Sequence, residues 1–162
     1  MTSDAPTASG TPPASPPDPS GTTGGATGRP RIEATSLSLS TSRPRELAAF
    51  YAALLGVDVA ASEGPREGGP ADAGWAQLRP AAGRLAMTVN LEWDPDFVPP
   101  VWPSAPGEQQ PQAHLDLWVD DLDAAEAWAR ECGALRHTHQ PQEDVRVMLD
   151  PDGHPFCLFT VH

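Results

Sequence analysis

Nine side chains in three runs fall at spacings that could carry chemistry on strands. His114, Asp116 and Trp118 alternate with Leu115, Leu117 and Val119, so a strand would present an imidazole, a carboxylate and an indole on one face. Upstream, Ser36, Ser38 and Ser40 alternate with Leu37 and Leu39 in the same way. In Leu85–Glu92 the alternation sets Met87, Val89 and Leu91 toward a core and leaves Thr88, Asn90 and Glu92 on the other face. An Asn and a Glu forced into a core would be costly to desolvate, which favours this assignment. Imidazole titrates near neutrality, so His114 beside Asp116 or Glu92 has the makings of an acid–base pair. A cavity face with hydroxyls, an imidazole, a carboxylate and an indole suits a pocket with an apolar wall and a few polar anchors. His137 and His139 recur at period two but read better as solvated surface histidines.

The elements that would position these residues follow from periodicity. A strand over 34–40 precedes a helix whose apolar residues Leu47, Phe50, Tyr51, Leu54 and Leu55 recur at helical spacing. Ser42 is the candidate cap, Pro44 fits the first turn and Gly56 ends the helix. Strand-like runs follow at 57–61, 75–78 and 85–92, with an exposed loop over 62–74. A Pro-rich linker spans 94–112, and its Trp102, between Pro100 and Pro103, is a candidate pocket rim. The plan then repeats: strand 114–119, helix 122–132, Gly133, and strands at 135–139, 145–149 and 156–161. Asp150-Pro151-Asp152-Gly153 between the last two is a tight-turn sequence, since Pro presets one dihedral and Gly accepts a positive φ. One constant offset superposes Leu37 on Leu115, Leu39 on Leu117 and Phe50 on Trp128, which places Trp128 on a helix's core face. The fold class is α+β, two βαβββ modules over about 32–93 and 113–162 within a domain spanning 31–162.

Residues 1–30 are Pro, Gly, Ser, Thr and Ala with almost nothing to bury, which predicts a disordered tail. The formal charge is −12, and all ten basic residues are arginine. Lysine-dependent Schiff-base and phosphate-loop chemistry are thereby excluded, and nucleic acid is disfavoured as a partner. No apolar run is long enough to span a bilayer and no secretory signal opens the chain. With two cysteines, Cys132 and Cys157, the reading is reduced thiols in a cytoplasmic protein.

Phe50-Tyr51-Ala52-Ala53-Leu54-Leu55-Gly56, the His114–Leu122 run, Pro99–Pro103 and Asp150–Leu158 together resemble the glyoxalase/bleomycin-resistance/extradiol-dioxygenase families, the vicinal oxygen chelate superfamily, in a glyoxalase-like subgroup. The resemblance covers residue 32 onward and implies two modules sharing a curved-sheet cavity. In metal-dependent members the first and last strand of each module supply His, Glu or Gln ligands. By that pattern Ser36 stands where a His is common, His114 matches, and Cys157 stands where a Glu is usual. The fourth position is Met87 if Gly83 is aligned with Gly153, or falls among Thr88, Asn90 and Glu92 by alternation.

The expectation is therefore a small-molecule binder with no resident cofactor. Its ligand-binding residues would be Ser36, Ser38, Thr88, Asn90, Trp102, Asp116, Trp118 and Cys157. The rival is an enzyme, a lyase, isomerase or dioxygenase, in which His114 and Glu92 are catalytic and hold a divalent metal that polarises vicinal oxygens. A homodimer is expected, because two-fold interfaces are the commonest oligomer type and relatives complete their cavities that way.

Overall fold

The structure is a computed structural model that describes residues 30–161. The tail expected over residues 1–30 lies outside the described residues except for Pro30. Ala34–His162 forms one unit, and within it the chain runs β1 (Ser36–Thr41), α1 (Pro44–Leu55), β2 (Val59–Glu63), β3 (Trp75–Leu78), β4 (Thr88–Trp93), β5 (Leu115–Trp118), α2 (Leu122–Glu131), β6 (Leu135–Arg136), β7 (Val145–Leu149) and β8 (Pro155–Phe159). Two four-stranded sheets result, ordered β1-β4-β3-β2 and β5-β8-β7-β6. In each, the first strand pairs parallel to the last and the other pairings are antiparallel. These are the two βαβββ modules that the repeat predicts. Among the described residues no helix is long and apolar enough to cross a membrane.

Alternation decides what each strand buries. Leu39 of β1, Ala76 and Leu78 of β3, and Val89 and Leu91 of β4 all face inward. They meet Leu47, Phe50 and Tyr51 of α1, and the same core continues into Met148, Phe156 and Leu158 of the second module. Phe50, Tyr51 and Phe156 stack edge to face, with ring centroids 4.9–6.2 Å apart. Full burial of a ring such as Phe156 contributes about 2–3 kcal/mol. Leu115, Leu117 and Val119 also pack against this core, as their spacing predicts.

Four local expectations are corrected. Ser42 does not cap α1: Arg43 is the N-cap residue and makes no side-chain cap bond, because the Ser42 hydroxyl donates to Asp152 Oδ1 at 2.7 Å. Trp128 is not core: it is 48% exposed, and its Nε1 donates to the Leu54 carbonyl at 3.1 Å. The sixth strand stops at Arg136, so His137 and His139 share no strand face; the His137 ring instead accepts from the His139 amide at 3.0 Å. Met87 precedes β4 and is 38% exposed, so it packs in no core.

A buried polar knot joins the two modules. The Asp150-Pro151-Asp152-Gly153 turn forms as predicted, with Gly153 at φ 95° and its amide donating to the Asp150 carbonyl at 3.0 Å. Asp150 is buried and accepts from Tyr51 Oη at 2.9 Å and from the amides of Asp152 and His154, both at 2.9 Å. His154 Nδ1 lies 3.0 Å from Asp150 Oδ2, and His154 Nε2 lies 2.9 Å from the Ser40 carbonyl. A carbonyl only accepts, so Nε2 donates to Ser40, and an imidazolium can donate from Nδ1 to Asp150 as well. Burial alone would lower the His154 pKa, but the Asp150 hydrogen bond and charge raise it above 6.5. Burial also pushes Tyr51 up, with the Asp150 charge adding to it. At Asp152 burial opposes ionisation, but hydrogen bonds from Thr41 and Ser42 and the Arg43 charge outweigh it and lower the pKa.

The knot makes stability depend on pH in a definite direction. The folded His154 pKa is raised, so its contribution is complete below about 6.5 and is lost as pH climbs through the folded value. Urea unfolding should therefore show stability falling with pH above 6.5, and His154→Gln should remove that slope; an unchanged slope in the variant would contradict the assignment. Asp150→Ala should cost about 3–5 kcal/mol, because it leaves a buried charge and a tyrosine hydroxyl unpaired.

Candidate functional site

The faces turned away from the core carry the candidate chemistry. In the first sheet, Ser36 pairs with Thr88, Ser38 with Asn90 and Ser40 with Glu92. Their side chains form a polar row. Ser38 Oγ donates to Glu92 Oε1 at 3.2 Å, Asn90 Nδ2 donates to Ser38 Oγ at 3.4 Å, and Gln77 Nε2 donates to Asn90 Oδ1 at 2.9 Å. Ser36, Ser38, Ser40 and Glu92 are exposed.

In the second sheet, Asp116 pairs with Cys157, and Cys157 also pairs with Val147; Trp118 pairs with Phe159. Because the modules are equivalent, these registers answer the open alignment. Ser38 corresponds to Asp116, so Asn90, its partner, corresponds to Cys157, and Glu92 corresponds to Phe159. Neither Met87 nor Glu92 occupies the position equivalent to Cys157.

A cavity of about 380 Å³ opens over this second face. Val145, Val147, Cys157 and Phe159 form its floor, His114 and Asp116 one side, and Trp102 of the linker another. The Trp102 and His114 ring centroids are 6.2 Å apart. Trp102 Nε1 is buried without a hydrogen-bond partner among the described residues. The linker is seated here by the turn: a Cβ on Gly153 would come within 2.9 Å of Pro99 Cβ, so glycine is required where the linker crosses.

His114 Nε2 lies 3.3 Å from Asp116 Oδ1. Donor atoms of His114, Asp116 and Cys157 all lie within 4.8 Å of one another. An imidazole, a carboxylate and a thiol fit a three-ligand zinc or iron centre with one open position. The thiol would first have to give up its proton. Burial pushes its pKa up to about 11, with the neighbouring Asp116 carboxylate adding to the rise. Glu92 is not part of this cluster; its contact is with Ser38.

The remaining expected residues lie elsewhere. Ser38 and Ser40 border a second cavity of about 350 Å³ beneath the linker, with Phe97, Asp94 and His154. Trp118, 62% exposed, borders a groove with Leu54 and Trp128. The cavity at Ser38 and Ser40 and the cavity at His114 and Asp116 have no lining residue in common. The turn residues Asp150, Asp152 and His154 were not singled out as a buried network from sequence. Their one signal is a density of charge unusual for a turn between two apolar strands.

The profile of the Glyoxalase-like domain family matches residues 36–159. No curated protein sequence matches the chain. Among solved structures, the antibiotic-binding protein TnmS3 from Streptomyces sp. CB03234 is 22% identical, covers 83% of this chain and 100% of its own, and superposes with a TM-score of 0.51. A glyoxalase family protein from Enterococcus faecalis is 20% identical over 78% of this chain and 96% of its own, with a TM-score of 0.55. The fosfomycin resistance protein FosX from Listeria monocytogenes, in complex with Mn(II) and a dihydroxypropylphosphonic acid, is 11% identical over 78% of this chain and 90% of its own, with a TM-score of 0.57. At these identities the structures share the fold. The family match, spanning both modules and the linker between them, shows that the chain belongs to the Glyoxalase-like domain family.

Proposed function

We propose that this protein binds a small organic molecule in the cavity between Trp102 and the second sheet, without a resident metal. One observation carries the reading: an apolar floor and an aromatic wall enclose a few polar groups, the make-up of a ligand pocket. The likeness to an antibiotic-binding protein supports it. The first module supplies only neutral Ser36 and Asn90 at the positions matching His114 and Cys157, which further supports binding without an ion. The two free cysteines suit a reducing compartment, and the cytoplasm is the proposed location.

A second reading is a metal-dependent lyase, isomerase or dioxygenase, favoured by the His114, Asp116 and Cys157 cluster and by likeness to a protein solved with Mn(II). An ion held by His114, Asp116 and Cys157 would polarise vicinal oxygens of a substrate. Ser36, Ser38, Thr88, Asn90 and Glu92 lie outside the cavity of one chain. We propose that a two-fold homodimer covers this open polar row, which would return those residues to a shared site.

Three measurements test these proposals. A thermal-shift hit should change tryptophan fluorescence, and Trp102→Ala should weaken its binding about tenfold, the loss typical of an aromatic anchor. Unaltered affinity in a folded Trp102→Ala protein would remove the cavity from consideration. Elemental analysis of purified protein should find well under one divalent ion per chain. A stoichiometric ion lost in His114→Ala would establish the metal reading instead. Light scattering at micromolar concentration should report twice the chain mass, and a monomer would exclude the dimer.

A further inference from the structure

Resting on the binding reading above, we infer that the ligand is a flat aromatic molecule bearing a positive charge. Charge among the cavity residues is one-sided. Among the described residues Asp116 and Asp144 line it, no arginine does, and the one basic group, His114, is already beside Asp116. Asp144 is exposed and makes no ion pair among the described residues. Arg146, the arginine nearest in sequence, is committed to Asp123 and Glu126 of α2.

The apolar part of the cavity favours the same sign. Trp102 and Phe159 are among the lining residues, and the quadrupole of an aromatic face attracts a cation. The whole chain, at −12, adds a field that draws cations in and repels anions. A phosphonate like that in the Listeria complex would meet no guanidinium here. The lining favours a flat ligand: two aromatic rings, Trp102 and Phe159, together with Val145 and Val147 give an apolar surface suited to an aromatic molecule.

Three probes of one shape and different charge decide the matter: N-methylquinolinium, neutral quinoline and naphthoate, titrated calorimetrically into the full-length protein near neutral pH. The cation should bind about tenfold more tightly than neutral quinoline, and naphthoate more weakly than either, given about threefold from each exposed carboxylate. The preference should shrink with added salt. Asp144→Asn and Asp116→Asn should each reduce it about threefold, and the double variant should abolish it. Equal affinity for cation and neutral probe, or tightest binding of naphthoate, would overturn the charge assignment while leaving the cavity as a binding site. No binding of any probe would overturn both.

Discussion

The carboxylate of Asp150 is a charge held inside a protein core, and the arrangement of both modules follows from how it is satisfied. Desolvating such a group costs several kcal/mol unless donors surround it. Here the donors come from the turn itself, from Tyr51 of the first helix, and from the His154 imidazole. Two residues on, Asp152 gathers Thr41, Ser42 and Arg43 where β1 passes into α1. The last hairpin of the second module is thereby tied to the first strand and helix of the first. Apolar contacts such as Phe50 on Phe156 supply much of the energy, but they are non-directional. The hydrogen bonds fix one docking geometry.

That geometry decides where a site can form. The modules meet through their helices and the inner faces of their sheets, and the opposite faces are left to the linker and to solvent. The hairpin that carries the knot also carries Cys157 and Phe159, so the cavity floor is anchored by the same bonds that join the modules. Gly153 lets Pro99 approach, and three residues later the linker sets Trp102 over the cavity. Preorganisation of this kind lowers the ordering cost of binding.

Much of this was legible in the chain itself. Period-two alternation identified the outward faces of β1, β4 and β5, because one face of each strand is buried and a slip in register would expose it. The Asp-Pro-Asp-Gly turn and the glycine after α1 were readable from backbone preferences. The knot was not, because its partners are far apart in sequence: Tyr51 with Asp150, Thr41 with Asp152, Ser40 with His154. The same distant pairing took Ser42 away from its expected capping role. Trp128 misled because helical periodicity gives a face but not its width, and an indole at the seam can be half exposed while its N–H is satisfied. The path of the linker, and with it the separation of the expected site residues into two cavities, has no periodicity from which to read it.

The most direct test of the cavity assignment is a crystal structure of the protein with its best thermal-shift ligand bound. The account predicts ligand density against Trp102, Val147 and Phe159, within contact of Asp116. Density confined to the groove beside Trp118 and Trp128, or to the cavity beneath the linker at Ser38 and Phe97, would contradict it.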